Sequence, residues 1–328
     1  YRDIGDYLSR EDKLRILSSQ SLDTVDWQQI TPNSAGDWIN QRDEQFATFQ
    51  AIGRKDKSDR SEVVFEVHSS GLKTGRDYWA YNFSKQRLRE NMESMIDFHN
   101  SQVEGFADYC QAERITAPTA THVDQFIDLD PKKISWDRAD KARIATGEKY
   151  AFDSGRIFIS TYRPFTREFS YFDRKLNNTV YQLPQIFPTP KHKNFGFYIT
   201  GTGSEEPFSV LMTDAIPDLH AVGTKSVGPY FPRYTYREFS TCDDIFSDSG
   251  EKVDYVRIDN ITDAAHAAYQ RVYADPTISK DDIFYYTYGL LHSPEYRERF
   301  AADLKKSLPR IPKVRDFRGY AEAGRKLA

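Results

Sequence analysis

A chain of 328 residues is long for one comfortable hydrophobic core, which points to two domains or to one domain with a large appendage. With 39% hydrophobic and 29% charged residues the balance is globular rather than disordered, and no apolar run is long enough to span a membrane. A formal net charge of −4 argues against indiscriminate coating of nucleic acid.

The average hides strong segregation. Residues 97–130 carry seven acids against Arg114 alone, whereas residues 138–195 carry eleven Lys or Arg against five acids. Residues 297–328 are basic again, and residues 241–263 acidic. A folded chain can gather its basic stretches on one side, so these local sums matter more than the total. Cys110 and Cys242 are too few for a disulfide framework or a Cys-based zinc cluster. Tyr1-Arg2-Asp3-Ile4-Gly5-Asp6 has no apolar h-region, so no signal peptide is expected. The chain reads as part of a longer protein, in a reducing cytoplasm.

In chain order, the pattern predicts a short helix at 10–18 and a second at 37–50, with Ile39, Arg42, Phe46 and Phe49 on one face. Val63–Val67 reads as the first strand. The longest helix is predicted at 84–112. Its positions Leu88, Met92, Met95, His99, Val103, Phe106 and Cys110 step by three or four, a stripe suited to one partner helix. His99 on that stripe reads as a packed histidine. From about residue 150 the texture becomes short β-like runs at 156–162, 168–172, 179–183, 195–200, 208–212 and 254–258. Helices return at 262–274 behind Thr262, at 281–291 behind Ser279, and at 294–306 with Ser293 as N-cap and Pro294 at N1. The tail Leu308–Pro312 reads as extended. The fold class is therefore α+β. Residues 1–149 form a helical spacer, and residues 150–328 a β-rich mixed-sheet module closed by C-terminal helices.

Several chemistries lack their motifs. There is no G-x-x-x-x-G-K-[ST] loop for nucleotide phosphates. Gly201-Thr202-Gly203-Ser204 follows a strand but leads into another β-like run, so a hairpin turn is expected rather than a methyl-donor loop. Asp214, Asp218 and His220 are suitable metal ligands, with Asp173 a further carboxylate, but Pro217 interrupts any regular presentation. What remains is a set of basic–aromatic clusters. In Gly71–Asn82 two glycines allow close approach of an anion, Lys73 and Arg76 supply charge, and Asn82 either reads a base edge or caps the next helix. The alternative is a tight turn packed by its aromatics, with Arg76 and Asp77 solvated. Tyr162–Arg167 and Lys191–Asn194 are similar loop clusters. Arg suits guanine and Asn suits adenine in a major groove, while Lys and Arg bind phosphate.

Three blocks carry a resemblance. They are Asp26-Trp27-Gln28 with Ile30–Asn33 and Gly36–Asn40; Gly71–Asp77 through Tyr81–Ser84; and Ile283–Arg297 continuing to Leu308–Pro312. Together they are similar to the C-terminal part of type ISP restriction–modification enzymes, a bacterial defence against phage. In that family a nuclease, a helicase-like ATPase, an adenine-N6 methyltransferase and a target-recognition domain lie in one polypeptide. The resemblance places this chain across the target-recognition region. It implies binding of double-stranded DNA, with the methyltransferase and helicase-like domains of the same polypeptide as partners and no membrane. It also implies no catalytic residue, metal or cofactor here. S-adenosylmethionine, ATP and Mg would belong to the upstream domains of a site-specific adenine methyltransferase and ATP-dependent endonuclease. The resemblance carries no base contacts, so the DNA-binding candidates rest on chemistry: Lys73, Arg76 and Asn82, then Arg163, Arg167, Asn177, Asn178, Lys191 and Lys193. Two alternatives stay open: a metal-dependent nuclease fragment, and a scaffold that docks the methyltransferase and helicase domains without touching DNA.

Overall fold

The computed structural model describes residues 1–56, 58–223, 227–240 and 253–328. Among them no helix is long and apolar enough to cross a membrane. The first part contains α1 (Arg10–Ser18), β1 (Gln50–Ala51), β2 (Ser69–Ser70), α2 (Asp77–Ala80), β3 (Tyr81–Asn82), α3 (Lys85–Ala112), α4 (Ala120–Phe126) and α5 (Arg138–Thr146). The middle holds β4 (Ile157–Arg163), β5 (Thr166–Tyr171), α6 (Leu183–Ile186), β6 (Gly196–Ile199), β7 (Val210–Thr213) and β8 (Ile216–Pro217). β9 (Pro229–Pro232), β10 (Tyr234–Ser240) and β11 (Val253–Asp259) follow. The chain closes with α7 (Asp263–Tyr273), α8 (Lys280–Leu291), α9 (Pro294–Arg299), α10 (Ala301–Lys306), β12 (Arg310–Ile311) and α11 (Phe317–Leu327).

The described strands form two four-stranded sheets, ordered β2-β9-β6-β7 and β3-β5-β4-β8, and two separate ribbons, β1–β12 and β10–β11. Among the described strands every ladder is antiparallel except β4–β8, which makes its sheet mixed. The class is α+β. Hydrogen bonding crosses residue 150 repeatedly, because β1, β2 and β3 pair with β12, β9 and β5. The largest core surrounds α8, which is buried nearly all round and sets Ile283 and Phe284 against Phe65, Phe197 and Phe231. α11 crosses α8 at glycines. A Cβ on Gly324 would lie 1.9 Å from the Tyr285 carbonyl oxygen, so the two backbones touch.

The long helix starts as predicted, with the Ser84 hydroxyl accepting from the Arg87 N–H at 3.3 Å. Its stripe is buried at every predicted position. The partner differs from a single helix. Leu88, Met92 and Met95 pack on Tyr171 and Ile157 of the β4–β5 sheet, while Val103, Phe106 and Cys110 pack on α4 and α5. Any flat apolar surface satisfies such a stripe. His99 is fully buried, 4.2 Å from the Tyr150 ring and 5.9 Å from Trp136.

Burial lowers the His99 pKa below its ordinary 6.5, outweighing the upward pulls of Asn100 and Asp140. A histidine held neutral in the fold contributes stability that is complete above its unfolded pKa and is lost as pH falls below it. Urea midpoints should therefore drop between about pH 7.5 and pH 5.5, and His99→Gln should flatten that drop. An equally steep pH profile in the variant would show that His99 is not responsible.

The remaining differences have local causes. Residues 37–50 hold only a 3-10 turn at Glu44–Thr48, because Gly36 and Asn40 take positive φ of 77° and 51° and Asp37 is pinned by Arg42 and Lys306. Val63–Phe65 is buried but makes single bridges, to Ala51 and Ile261, instead of a strand. Residues 179–183 turn into α6. Helix 294–306 breaks at Phe300 into α9 and α10. β9, β10, α4, α5 and α11 have no counterpart in the sequence prediction. Prolines bound β9 at both ends, where their missing N–H does little harm.

Candidate nucleic-acid interface

The hairpin β4–β5 organises the candidate surface. Its turn, Arg163-Pro164-Phe165-Thr166, leaves the Phe165 ring 93% exposed at a φ of 62°, unusual for a bulky residue. Along β5 successive side chains point to opposite faces. Arg167 and Phe169 thus line one cleft and Glu168 another.

The Arg167 cleft has a volume of about 630 Å³ and collects Lys85, Arg167, Lys193 and Arg257 around Phe169 and Tyr234. Arg167 is held by Asp214, but both side chains are more than half exposed, so the pair is weak and exchangeable. Lys85 and Lys193 have no ion pair among the described residues. Two guanidiniums lie over the Tyr234 ring, with Arg233 at 4.4 Å and Arg257 at 4.3 Å from its centroid. Arg233 is buried and tied to Asp259 and Asp281, so it fixes the ring while Arg257 stays exposed. The result is a positively charged groove with an aromatic wall.

The candidates named from sequence fall into separate places. Arg167 and Lys193 share the basic cleft, and Lys191 is exposed on the same loop as Lys193. Lys73 and Asn178 meet on a neighbouring ridge, where the Lys73 and Thr179 backbones bridge and the Asn178 N–H donates to the Thr74 carbonyl at 3.0 Å. Asn82 lines the Glu168 cleft; its Oδ1 accepts from the Ser84 N–H at 2.8 Å, leading the chain into α3. Arg163 stacks over Tyr162 at 4.0 Å and pairs with Asp218. Asn177 is buried, its Oδ1 accepting from the Asp173 N–H.

Arg76 is interior, neither solvated nor facing a ligand. It donates to Asp140 at 2.6 Å and Asp137 at 3.2 Å, and it also touches Met95. Those aspartates form the capping box of α5, so the guanidinium joins α2, α3 and α5.

The carboxylates considered for metal are engaged separately. Asp214 holds Arg167, whereas Asp218 accepts from Arg163 and from the Tyr81 hydroxyl at 3.3 Å. Burial raises the Asp218 pKa against the pulls of the His220 N–H and Arg163. Among the described residues no group of three or more His, Cys, Asp or Glu gathers to hold a metal ion. Gly201–Ser204 lies in the β6–β7 hairpin connection, as expected.

Sequence reasoning missed Lys85, Tyr234 and Arg257. Lys85 is the first residue of α3 and Arg257 lies in an acidic stretch, so neither falls within the basic segments. Exposure along β11 does not alternate, Val256 being exposed beside Arg257, so no local pattern marked it.

A family model described as the Type ISP C-terminal specificity domain matches residues 63–328. No curated protein matches the chain. Among solved structures, a nuclease-deletion mutant of the Type ISP restriction–modification enzyme LlaGI, in complex with a DNA substrate mimic, is 36% identical over 99% of this chain, with a TM-score of 0.77. DrdV in its DNA complex is 27% identical over 99% of the chain, with a TM-score of 0.79. The ATP-dependent Type ISP enzyme LlaBIII bound to DNA is 29% identical over 91%, with a TM-score of 0.72. The chain spans 27%, 30% and 17% of those three chains respectively.

Proposed function

Because the chain belongs to the family of Type ISP C-terminal specificity domains, we propose that it reads a short asymmetric target in duplex DNA on behalf of a longer cytoplasmic polypeptide. The observation that carries this reading is the basic cleft beside the β4–β5 hairpin. In a chain of net charge −4 it concentrates Lys85, Arg167, Lys193 and Arg257 on one face. Phosphate contacts from these residues fix the register, and the hairpin and nearby loops supply contacts to base edges.

In the full-length protein this reader holds a target adenine for the adenine-N6 methyltransferase domain, which must extract the base from the stack to reach N6. S-adenosylmethionine serves that domain, and ATP and Mg serve the helicase-like and nuclease domains. An unmethylated site then triggers ATP-dependent restriction.

Selection of the full-length protein on a random duplex library, followed by a salt titration, tests this. One short asymmetric sequence should be recovered, with affinity falling steeply as salt rises. Recovery of unrelated sequences with salt-independent affinity would refute it.

A further inference from the structure

On the opposite face of β5 from the basic cleft lies a second cleft of about 390 Å³. Its chemistry is different. Tyr78, Tyr81, Phe83 and Tyr162 provide rings, while Glu168, Asn82 and Asn91 provide polar edges. Tyr78 is 80% and Phe83 72% exposed, so two large rings stand at its rim in water. Tyr81 and Tyr162 form its wall, with centroids 4.7 Å apart. Among the described residues the Glu168 carboxylate, the Asn82 amide nitrogen and the Asn91 amide make no hydrogen bond.

Three features select the occupant. Asp77 and Glu168 line the cleft beside a single cation, Arg87, whose exposed pair with Glu90 is weak, while Arg163 is held by Asp218. Two carboxylates against one guanidinium disfavour phosphate there. An acceptor-only carboxylate beside amides matches a ring that carries an exocyclic amine, as in cytosine or adenine. Burial raises the Glu168 pKa, with Arg163 opposing, so its charge is poorly solvated and gains from a donor. Faces of Tyr and Phe suit a flat heterocycle of any identity. The cleft also adjoins a hairpin tip on which Phe165 projects, held in a backbone conformation that bulky residues avoid. Minor-groove binders use such apolar side chains as wedges between base steps.

We propose that Phe165 wedges into the duplex and that a base carrying an exocyclic amine, displaced from the stack, is received between Tyr78 and Phe83 and read by Glu168, Asn82 and Asn91. This rests on the DNA-recognition reading above. The hairpin then works from both faces, with phosphate held on the Arg167 side and an unstacked base on the Glu168 side. The displaced base is a different nucleotide from the adenine that is methylated.

The test uses the full-length protein and a target duplex with 2-aminopurine placed at each position of both strands in turn. Fluorescence should rise several-fold on binding at one position besides the methylated adenine. Phe165→Ala, or Tyr78→Ala with Phe83→Ala, should return that position to the duplex level and weaken binding roughly ten- to hundred-fold, leaving the salt dependence unchanged. Glu168→Gln should weaken binding roughly tenfold while the fluorescence persists. The rings are exposed, so unchanged thermal melting is the control for folding. Sequence-specific, salt-dependent binding with no second bright position, or with one that survives Phe165→Ala, overturns the base-cleft proposal alone. Failure to bind any duplex at low salt overturns both it and the DNA-recognition reading.

Discussion

Arg76→Ala should destabilise the fold by about 3–5 kcal/mol, because it leaves a buried carboxylate without its partner. The Arg76 side chain is 1% exposed and that of Asp140 is 0% exposed. Asp140 also accepts from the Tyr150 hydroxyl at 2.6 Å and from the Asp137 N–H at 3.0 Å. Removing the guanidinium strands the charge among groups that can only partly compensate. The loss spreads to α3, since Arg76 reaches Met95 and Tyr150 packs on His99. Urea denaturation of wild type and variant gives the difference directly. Arg76→Lys should recover only part of it, because an ammonium cannot span two aspartates in the fork geometry of a guanidinium. Were Arg76 a DNA contact, its removal would lower affinity with the urea midpoint intact, and that pattern would refute the structural role.

The second large effect concerns DNA. Arg167→Gln combined with Lys193→Gln should weaken duplex binding roughly a hundredfold near 0.1 M salt, if each residue neutralises one phosphate. The slope of log affinity against log salt should become shallower by about two, while the preferred sequence stays the same. Stability should barely change. Arg167 is exposed in a weak pair with Asp214, and among the described residues the hydrogen bond of Lys193 is through its backbone carbonyl, accepting from the Tyr236 hydroxyl at 2.7 Å. An unchanged salt slope would mean that phosphate lies elsewhere, and the ridge of Lys73 and Asn178 would then be the face to alter. A changed preference would assign base reading to these side chains.

Much of the secondary structure could be read along the chain. Ser84, Thr262, Ser279 and Ser293 each cap the helix they were expected to start, because a hydroxyl reaches an N–H three residues ahead whatever surrounds it. The α3 stripe and strands β4, β5, β6, β7 and β11 follow from periods of a few residues. The failures share a cause. At 37–50 the apolar spacing was helical, but Asp37 was claimed by Lys306, 269 residues away in the chain. At Val63–Phe65 the buried run bridges Ile261, and a run buried on all sides carries no alternation to identify its pairing.

The candidate surface divides the same way. Composition, the basic segments and the family blocks sufficed to point to a reader of DNA, because charge density and long shared words survive without coordinates. The fate of each charge did not follow from them. Arg76 and Lys73 lie three residues apart in one glycine-rich cluster, yet Arg76 is buried against Asp140 while Lys73 stays in water. Arg257 lies in an acidic stretch yet joins Arg167 and Lys193 in one groove. Whether an arginine is a brace or a contact depends on which carboxylates the topology brings within about 3–4 Å of it. Those partners lie tens of residues away in the chain, beyond the reach of any local pattern.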